Sequence, residues 1–380
     1  MREKMMIQIE LDKSKEKIIG LESALKSIGS FRNTTISYDK DNTIEDKEKN
    51  ENIKTEIKHA KDSKFPIDHG TNLKLIRVQK MPNIIRSGGF RQTHQIKEAH
   101  VKAISGLALH PTKDVIASGG DDGIWKLWSL TNCELVMEGK GHKEWISSCD
   151  FHPSGMYLAT SSGDSLIKIW DFKTVECITS FKEHLSVVWD VSWHSCGDFI
   201  ASASMDKKIK IWDAQSLRCR NTLRGHSGSV NSINFLYGSN CLVSSSADKT
   251  ISLWDARTNF CSNTFYGHEH SVNDANFNLK GTSIASCDSY GNVKIWDVRN
   301  LDSIETIEFG PHSTNSVTFD PTGQIIVAAS DDASVKMYDL MNCKVSNLMG
   351  HSDAVQRAIF DLDGKFVISS GSDQNIKIWS

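Results

Sequence analysis

From residue 100 to the end, the chain alternates short apolar runs with clusters of Gly, Pro, Asn, Asp and Ser. One stretch shows the grammar. Residues 145–151 are rich in apolar side chains, and His152-Pro153-Ser154-Gly155 interrupt them; 156–161 resume, 162–165 interrupt again, and 166–170 and 177–181 follow. Runs this short, rich in β-branched and aromatic residues and closed by turn formers, predict strands rather than helices. The grammar also repeats. Trp128, Trp170, Trp212, Trp254, Trp296, Tyr338 and Trp379 stand 42 residues apart, with a last step of 41. An Asp follows at 171, 213, 255, 297 and 339, and Ser129 and Ser380 take that place at the two ends. His100, His142, His184, His226, His268 and His351 open the units, with Gly310 in the sixth such position.

A period near 42 that opens on Gly-His and closes on Trp-Asp is the signature of four-stranded WD-repeat blades. Seven units therefore predict an all-β fold, a seven-bladed WD-repeat β-propeller over residues 90–380. The seventh unit stops one residue past its Trp and so lacks an outer strand. Repeat spacing assigns that strand to residues 90–97, with Phe90, Thr93, His94 and Ile96 filling it. Pairing the two ends of the ring would remove an open sheet edge.

A His, a hydroxyl, an Asp and a Trp recur together, as in His142/Thr160/Asp164/Trp170, His184/Ser202/Asp206/Trp212 and His226/Ser244/Asp248/Trp254. A nucleophile is needed once, whereas this set returns blade after blade. It predicts a hydrogen-bonded chain that fastens strands, not a hydrolase triad. Two units depart from it. The fifth keeps His268, Ser286 and Trp296 but has Tyr290 in the Asp position, which predicts the loosest blade. The sixth has Gly310, Ala328 and Tyr338, which predicts a blade held by apolar packing alone. No phosphate-cradling Gly-rich loop occurs, and His268 and His270 have no further ligands nearby, so no enzyme, cofactor or metal is expected.

Three and five residues beyond each His position, the chain should run along the innermost strand at the rim of the central channel. Trp145 falls at the first of these positions and Trp189 at the second, on neighbouring blades; Asn231, Asn273, Asn315 and Gln356 complete the second set. Two indoles facing a polar arc predict a partner-binding rim. Trp193 shares its position with Phe151, Phe235, Phe277, Phe319 and Phe360, and Trp125 stands where other units have Ile or Val, so both are read as core.

Ahead of the repeats, Leu11, Ile18 and Leu25 at a, with Ile7, Leu21 and Ile28 at d, predict a short coiled-coil helix over residues 1–29. It suits dimerisation or docking on another coil; a single amphipathic helix packed on a partner is the other reading. Residues 30–89 read as a charged linker ordered only by partners. Toward its end Lys74, Arg77, Lys80, Arg86, Arg91 and Lys97 run without an acid until Glu98, a basic lead-in that suits an acidic surface or is simply solvated. Residues 1–99 carry 20 Lys+Arg against 15 Asp+Glu, and the remainder 24 against 32, so the propeller is acidic and nucleic acid is not an expected partner. All nine Cys follow residue 130 without a C-x-x-C pair, which reads as free buried thiols in a reducing compartment; Cys177, Cys219 and Cys261 share one repeated position. The charged start Met1-Arg2-Glu3-Lys4 and the lack of an 18-residue apolar run predict a soluble intracellular protein with no leader and no membrane span.

Several stretches carry more than the repeat demands. They are Trp193-His194-Ser195-Cys196-Gly197, Ser245-Ser246-Ala247-Asp248-Lys249, the run Tyr266-Gly267-His268-Glu269-His270-Ser271-Val272-Asn273-Asp274-Ala275, and Ile284-Ala285-Ser286-Cys287-Asp288. In these the chain resembles, over residues 90–380, the sperm-associated antigen family of WD-repeat proteins in the central apparatus of motile cilia. The resemblance implies a non-enzymatic axonemal scaffold that bridges the two central microtubules and supports ciliary and flagellar motility. It implies central-apparatus proteins, a coiled-coil partner or a second copy, and tubulin as candidate partners. The implied location is the cilium or flagellum, with a cytoplasmic pool. Two alternatives stay open. One is a centriole-assembly or microtubule-motor regulator, which joins the same parts. The other is a substrate receptor of a cullin ubiquitin ligase, because Trp254-Asp255-Ala256-Arg257 and Trp296-Asp297-Val298-Arg299 match a W-D-x-R pattern.

Overall fold

The computed structural model describes residues 63–66, 72, 74 and 89–380. The heptad residues Ile7, Leu11, Ile18, Leu21, Leu25 and Ile28 lie outside the described residues, as do Arg77, Lys80 and Arg86 of the basic lead-in. The chain divides into Met1–His59 and Ala60–Ser380, and everything below concerns the second unit.

The described residues form seven four-stranded antiparallel sheets, the blades of a propeller. Blade two is typical: Ile146–Phe151 innermost, then Tyr157–Ser162, Ile167–Asp171 and Glu176–Phe181 at the outside. Apolar side chains of one blade pack against the next. In one cluster Phe199, Ile209, Ile211 and Leu223 of blade three meet Val230, Ile233, Leu242 and Trp254 of blade four. The ring is thus a series of two-sheet cores rather than one central core, and the repeated Trp is buried between blades. Trp125 and Trp193 are core as expected. Trp125 fits because Gly139 stands directly across from it, where a Cβ would come within 2.3 Å of the indole.

The ring closes as the spacing predicts. Gln92–Ile96 pairs antiparallel with Ile376–Trp379, and the backbones of Arg91 and Ser380 exchange hydrogen bonds of 3.0 and 2.9 Å. Phe90 and Ile96 point into the core, while Thr93 and His94 are exposed on the outer strand.

Six blades carry the same buried chain. In blade three Trp212 Nε1–H donates to Ser202 Oγ at 2.8 Å, and the hydroxyl meets His184 Nε2 at 2.8 Å. His184 Nδ1–H then donates to Asp206 at 2.8 Å. Burial alone would raise these carboxyls. The hydrogen bond from the imidazole and those from two backbone N–H groups outweigh it and hold Asp164, Asp206 and Asp373 at about 2.

Blade five is one of the six, which corrects the expectation of a loose blade lacking its Asp. Asp288, two residues before the usual position, reaches His268 Nδ1 at 3.0 Å, and Ser286 and Trp296 complete the chain. Tyr290 turns outward and stacks on His270, with ring centroids 4.8 Å apart. Blade six is also not held by apolar packing alone. Lys336 from its third strand sends a buried ammonium to Asp332 at 2.6 Å and to the Phe309 carbonyl, beside Gly310. Tyr338 turns its hydroxyl to Glu305 on the outer strand of blade five.

The cysteines are all free, but Cys196, Cys241, Cys261 and Cys343 are exposed, so only Cys149 and Cys287 fit the expectation of buried thiols. Of the linker segment, residues 63–66 meet the propeller. Ser63 bonds Asp213 through N–H at 2.7 Å and Oγ at 3.1 Å, and Asn240 donates to the Pro66 carbonyl at 3.0 Å. Phe65 stacks on Phe199 with centroids 3.9 Å apart, under the Arg220 guanidinium. An aromatic ring and a serine that meet a fitted apolar and polar site dock on the propeller itself, even within a charge-rich segment.

Candidate protein-binding mouth

The innermost strand of every blade carries a β-bulge, and the bulged residue is always the one five beyond the His position: Ser105, Ser147, Trp189, Asn231, Asn273, Asn315 and Gln356. A bulge leaves its extra residue out of the ladder and re-aims the side chain. The seven side chains thereby converge on one mouth of the channel, around a cavity of about 360 Å³ that Trp145 also lines. Trp145, Trp189, Asn231, Asn273, Asn315 and Gln356 are therefore brought together as the sequence suggested.

Their surroundings differ. The amides of Asn231, Asn273 and Asn315 donate to backbone carbonyls of the following blade, at Val272, Thr314 and Val355, at 2.8 to 2.9 Å. The arc of Asn is thus a belt that ties blades four to seven, and its donors are spent on the ring. Gln356 donates to Ser372 Oγ at 3.0 Å. Trp189 donates to Ser229 Oγ at 3.1 Å yet keeps 36% of its surface exposed. Trp145 lies flat over Gly163, where a Cβ would come within 2.7 Å of the ring. The indoles are the accessible apolar groups of this mouth.

One layer deeper lies a charged set that the sequence reading missed. Arg357 Nη2 donates to Asp190 at 3.0 Å and to Ser148 at 3.1 Å. Burial would weaken its charge, but Asp190 and Asp274 outweigh burial and keep it protonated. Asp190 and Asp274 also accept the Ile233 and Val317 N–H groups of the following blades at 3.0 and 3.1 Å. The available signal was positional: six beyond the His position the other units carry Gly, Ser or Asp, and only the seventh an Arg.

At the opposite mouth, a cavity of about 310 Å³ is lined by the turns after the innermost strands and by Lys74. The Lys74 ammonium sits 4.6 Å from the Tyr237 ring centroid. Burial lowers its pKa against the pull of Asp150, whose own carboxyl burial lifts to about 7. This member of the basic lead-in therefore faces into the ring. Arg91 is exposed, with its backbone closing the ring. Arg257 of the W-D-x-R pattern is held by Asp255 through two nitrogens, at 3.0 and 2.7 Å.

A family model described as IFT122 first beta-propeller matches residues 145–380, and one described as WD domain, G-beta repeat matches 91–129. The chain belongs to the IFT122 first beta-propeller family. Over 162 residues this WD-repeat chain is 41% identical to the Sperm-associated antigen 16 protein of Homo sapiens, covering 38% of this chain and 25% of that protein. The Mus musculus protein of the same name is 40% identical over 182 residues, 38% of this chain and 27% of its own length. The Flagellar WD repeat-containing protein Pf20 of Chlamydomonas reinhardtii is 42% identical over 47 residues, 12% of this chain and 8% of that protein. The chain thus matches about a quarter of the length of the first two relatives, and the family resemblance read from its motifs is matched by name.

Proposed function

We propose that the chain is a non-enzymatic scaffold of the motile-cilium axoneme, acting in the central apparatus as part of the bridge between the two central microtubules and supporting ciliary and flagellar motility. Identity near 40% to Sperm-associated antigen 16 proteins and to a flagellar WD-repeat protein carries the reading. The site chemistry supports it. The recurrent His, hydroxyl and Asp sets are consumed in fastening blades, and the accessible groups of the bulged mouth are two indoles suited to gripping another protein. Partners are other central-apparatus proteins, a coiled-coil partner or second copy through residues 7–28, and tubulin as a candidate. The location is the axoneme, with a cytoplasmic pool.

Tagged full-length protein in motile ciliated cells tests the reading. Signal is expected along the axoneme, and the Trp145→Ala/Trp189→Ala variant should incorporate poorly while melting at the wild-type temperature. Signal confined to basal bodies would overturn the central-apparatus assignment in favour of a centriolar role. Normal incorporation of the double variant would return both indoles to a purely structural role.

A further inference from the structure

Blade three differs from its six companions on the face that holds the bulged mouth. Leu185, Trp189 and Met205 are 81%, 36% and 52% exposed. Leu185 N–H bonds the turn residue Asp206 and Met205 N–H bonds the Val187 carbonyl, which brings these two residues to one edge of the blade, and Trp189 follows on the innermost strand as an apolar strip. No other blade has apolar side chains at all three of these repeat positions. The strip leads from the channel mouth outward to Lys207 in the same turn. Beside it Lys208 stands directly across from Arg224 of the outer strand. Like charges opposed on neighbouring strands are destabilising, and none of these three cations has a counter-ion among the described residues. The hairpin from 207 to 224 holds six Lys or Arg against one Asp, in a propeller that is otherwise acidic.

Lone cations on an outer strand commonly serve to discourage edge-to-edge pairing. That role does not account for this blade. The corresponding outer strand of blade four, Cys261–Phe265, carries no charge, and that of blade five, Ser303–Glu308, is acidic. Lys140 and Lys344 on the outer strands of blades one and six are single cations of that kind, whereas blade three sets several cations beside an exposed apolar strip.

We propose that the upper edge of blade three is a docking surface for an extended acidic segment of a partner protein, with apolar residues of that segment on Leu185, Trp189 and Met205 and its carboxylates on Lys207, Lys208 and Arg224. The apolar strip favours a polypeptide over a nucleic acid, and the cations of the turn, the third strand and the end of the outer strand cluster at one edge, which suits an extended acidic chain. The proposal deepens the scaffold reading by giving one partner its chemistry, but it is a statement about binding in solution and does not depend on where the protein resides.

The test uses the full chain and a fluorescent peptide of two leucines followed by a run of glutamates. A peptide with lysines in place of the glutamates and a single-stranded oligonucleotide serve as comparisons. The glutamate peptide should bind, and Lys207→Glu/Arg224→Glu should weaken it by about tenfold or more. Leu185→Ser/Met205→Ser should weaken it several-fold, and the salt dependence should vanish in the charge-reversed variant. Unfolding is checked independently, since Lys208→Gln removes a like-charge contact and should raise the melting temperature while still weakening the peptide. Equal binding of the lysine peptide, tighter binding of the oligonucleotide, or indifference to charge reversal would overturn the proposal. So would self-association of the chain abolished by Lys207→Glu, which would give the surface to a second copy. Axonemal localisation can fail while peptide binding holds, and the reverse, so the two readings fall separately.

Discussion

Blades five and six are the two that break the repeat, and they break it in opposite ways. Blade five has its carboxylate two residues early, on the end of a strand instead of in the turn, and Asp288 still meets His268 at 3.0 Å. Every polar partner is retained. Blade six has lost the imidazole, the hydroxyl and the indole, and keeps only the turn Asp332. There the ammonium of Lys336 enters beside Gly310 and pairs with that carboxylate. Homologous lysines elsewhere bond other groups: Lys126 the Ala99 carbonyl at 2.8 Å, Lys168 and Lys294 hydroxyls of their outer strands at 3.0 and 2.8 Å, and Lys210 the Glu183 carboxylate at 3.1 Å. What persists across both blades is a donor for the carboxylate at the blade's upper edge, buried at Asp288 and half-buried at Asp332, because an unpaired carboxylate withdrawn from water is costly. The identity of the donor is negotiable.

Four experiments sharpen the contrast. Deleting residues 85–99 should have the largest effect, since it opens the ring on which both blades depend; an aggregating product without a cooperative melt is expected, and a soluble, cooperatively melting one would refute closure by Gln92–Ile96. Acidification comes next. The carboxyls of the fastening chains are depressed in the folded state, so their stabilisation is complete above the ordinary carboxylate value near 4 and is lost as pH falls toward 2. The melting temperature should fall steeply across that window, with Asp288 and Asp332 contributing in the same direction. Third, Lys336→Met should cost about 3 kcal/mol by stranding Asp332 and the Phe309 carbonyl. A cost below about 0.5 kcal/mol in chemical denaturation would restore the purely apolar account of blade six. Last, Asp288→Ala should cost about 2 kcal/mol by leaving a buried imidazole N–H unpaired. Adding Tyr290→Asp, which restores the usual position, should recover most of it; no recovery would mean that the fifth turn cannot adopt the standard path.

The two mouths of the channel make a second contrast. At one, the bulge at Trp189 presents an indole to solvent beside Trp145; at the other, Lys74 sits half-buried among turns. Sequence spacing located the first because its residues recur every 42 positions. The second involves a single lysine from outside the repeat, and no period marks it.

The sequence by itself determined the number of blades, their four-strand order, the strand that closes the ring and the burial of Trp125 and Trp193. Each of these follows from a period and from which positions are apolar, and both are properties of the chain read in order. It also located the rim residues, since a bulge at a fixed offset re-aims the same position in every blade. Only the tertiary structure decided what those residues do. The Asn side chains spend their donors on carbonyls some 41 residues further on, Arg357 meets an Asp from a blade across the channel, and Phe65 finds Phe199. Blade five could have been rescued by any carboxylate within reach of His268, and blade six by any cation within reach of Asp332. Reach is a distance through space, and a repeat fixes only distance along the chain.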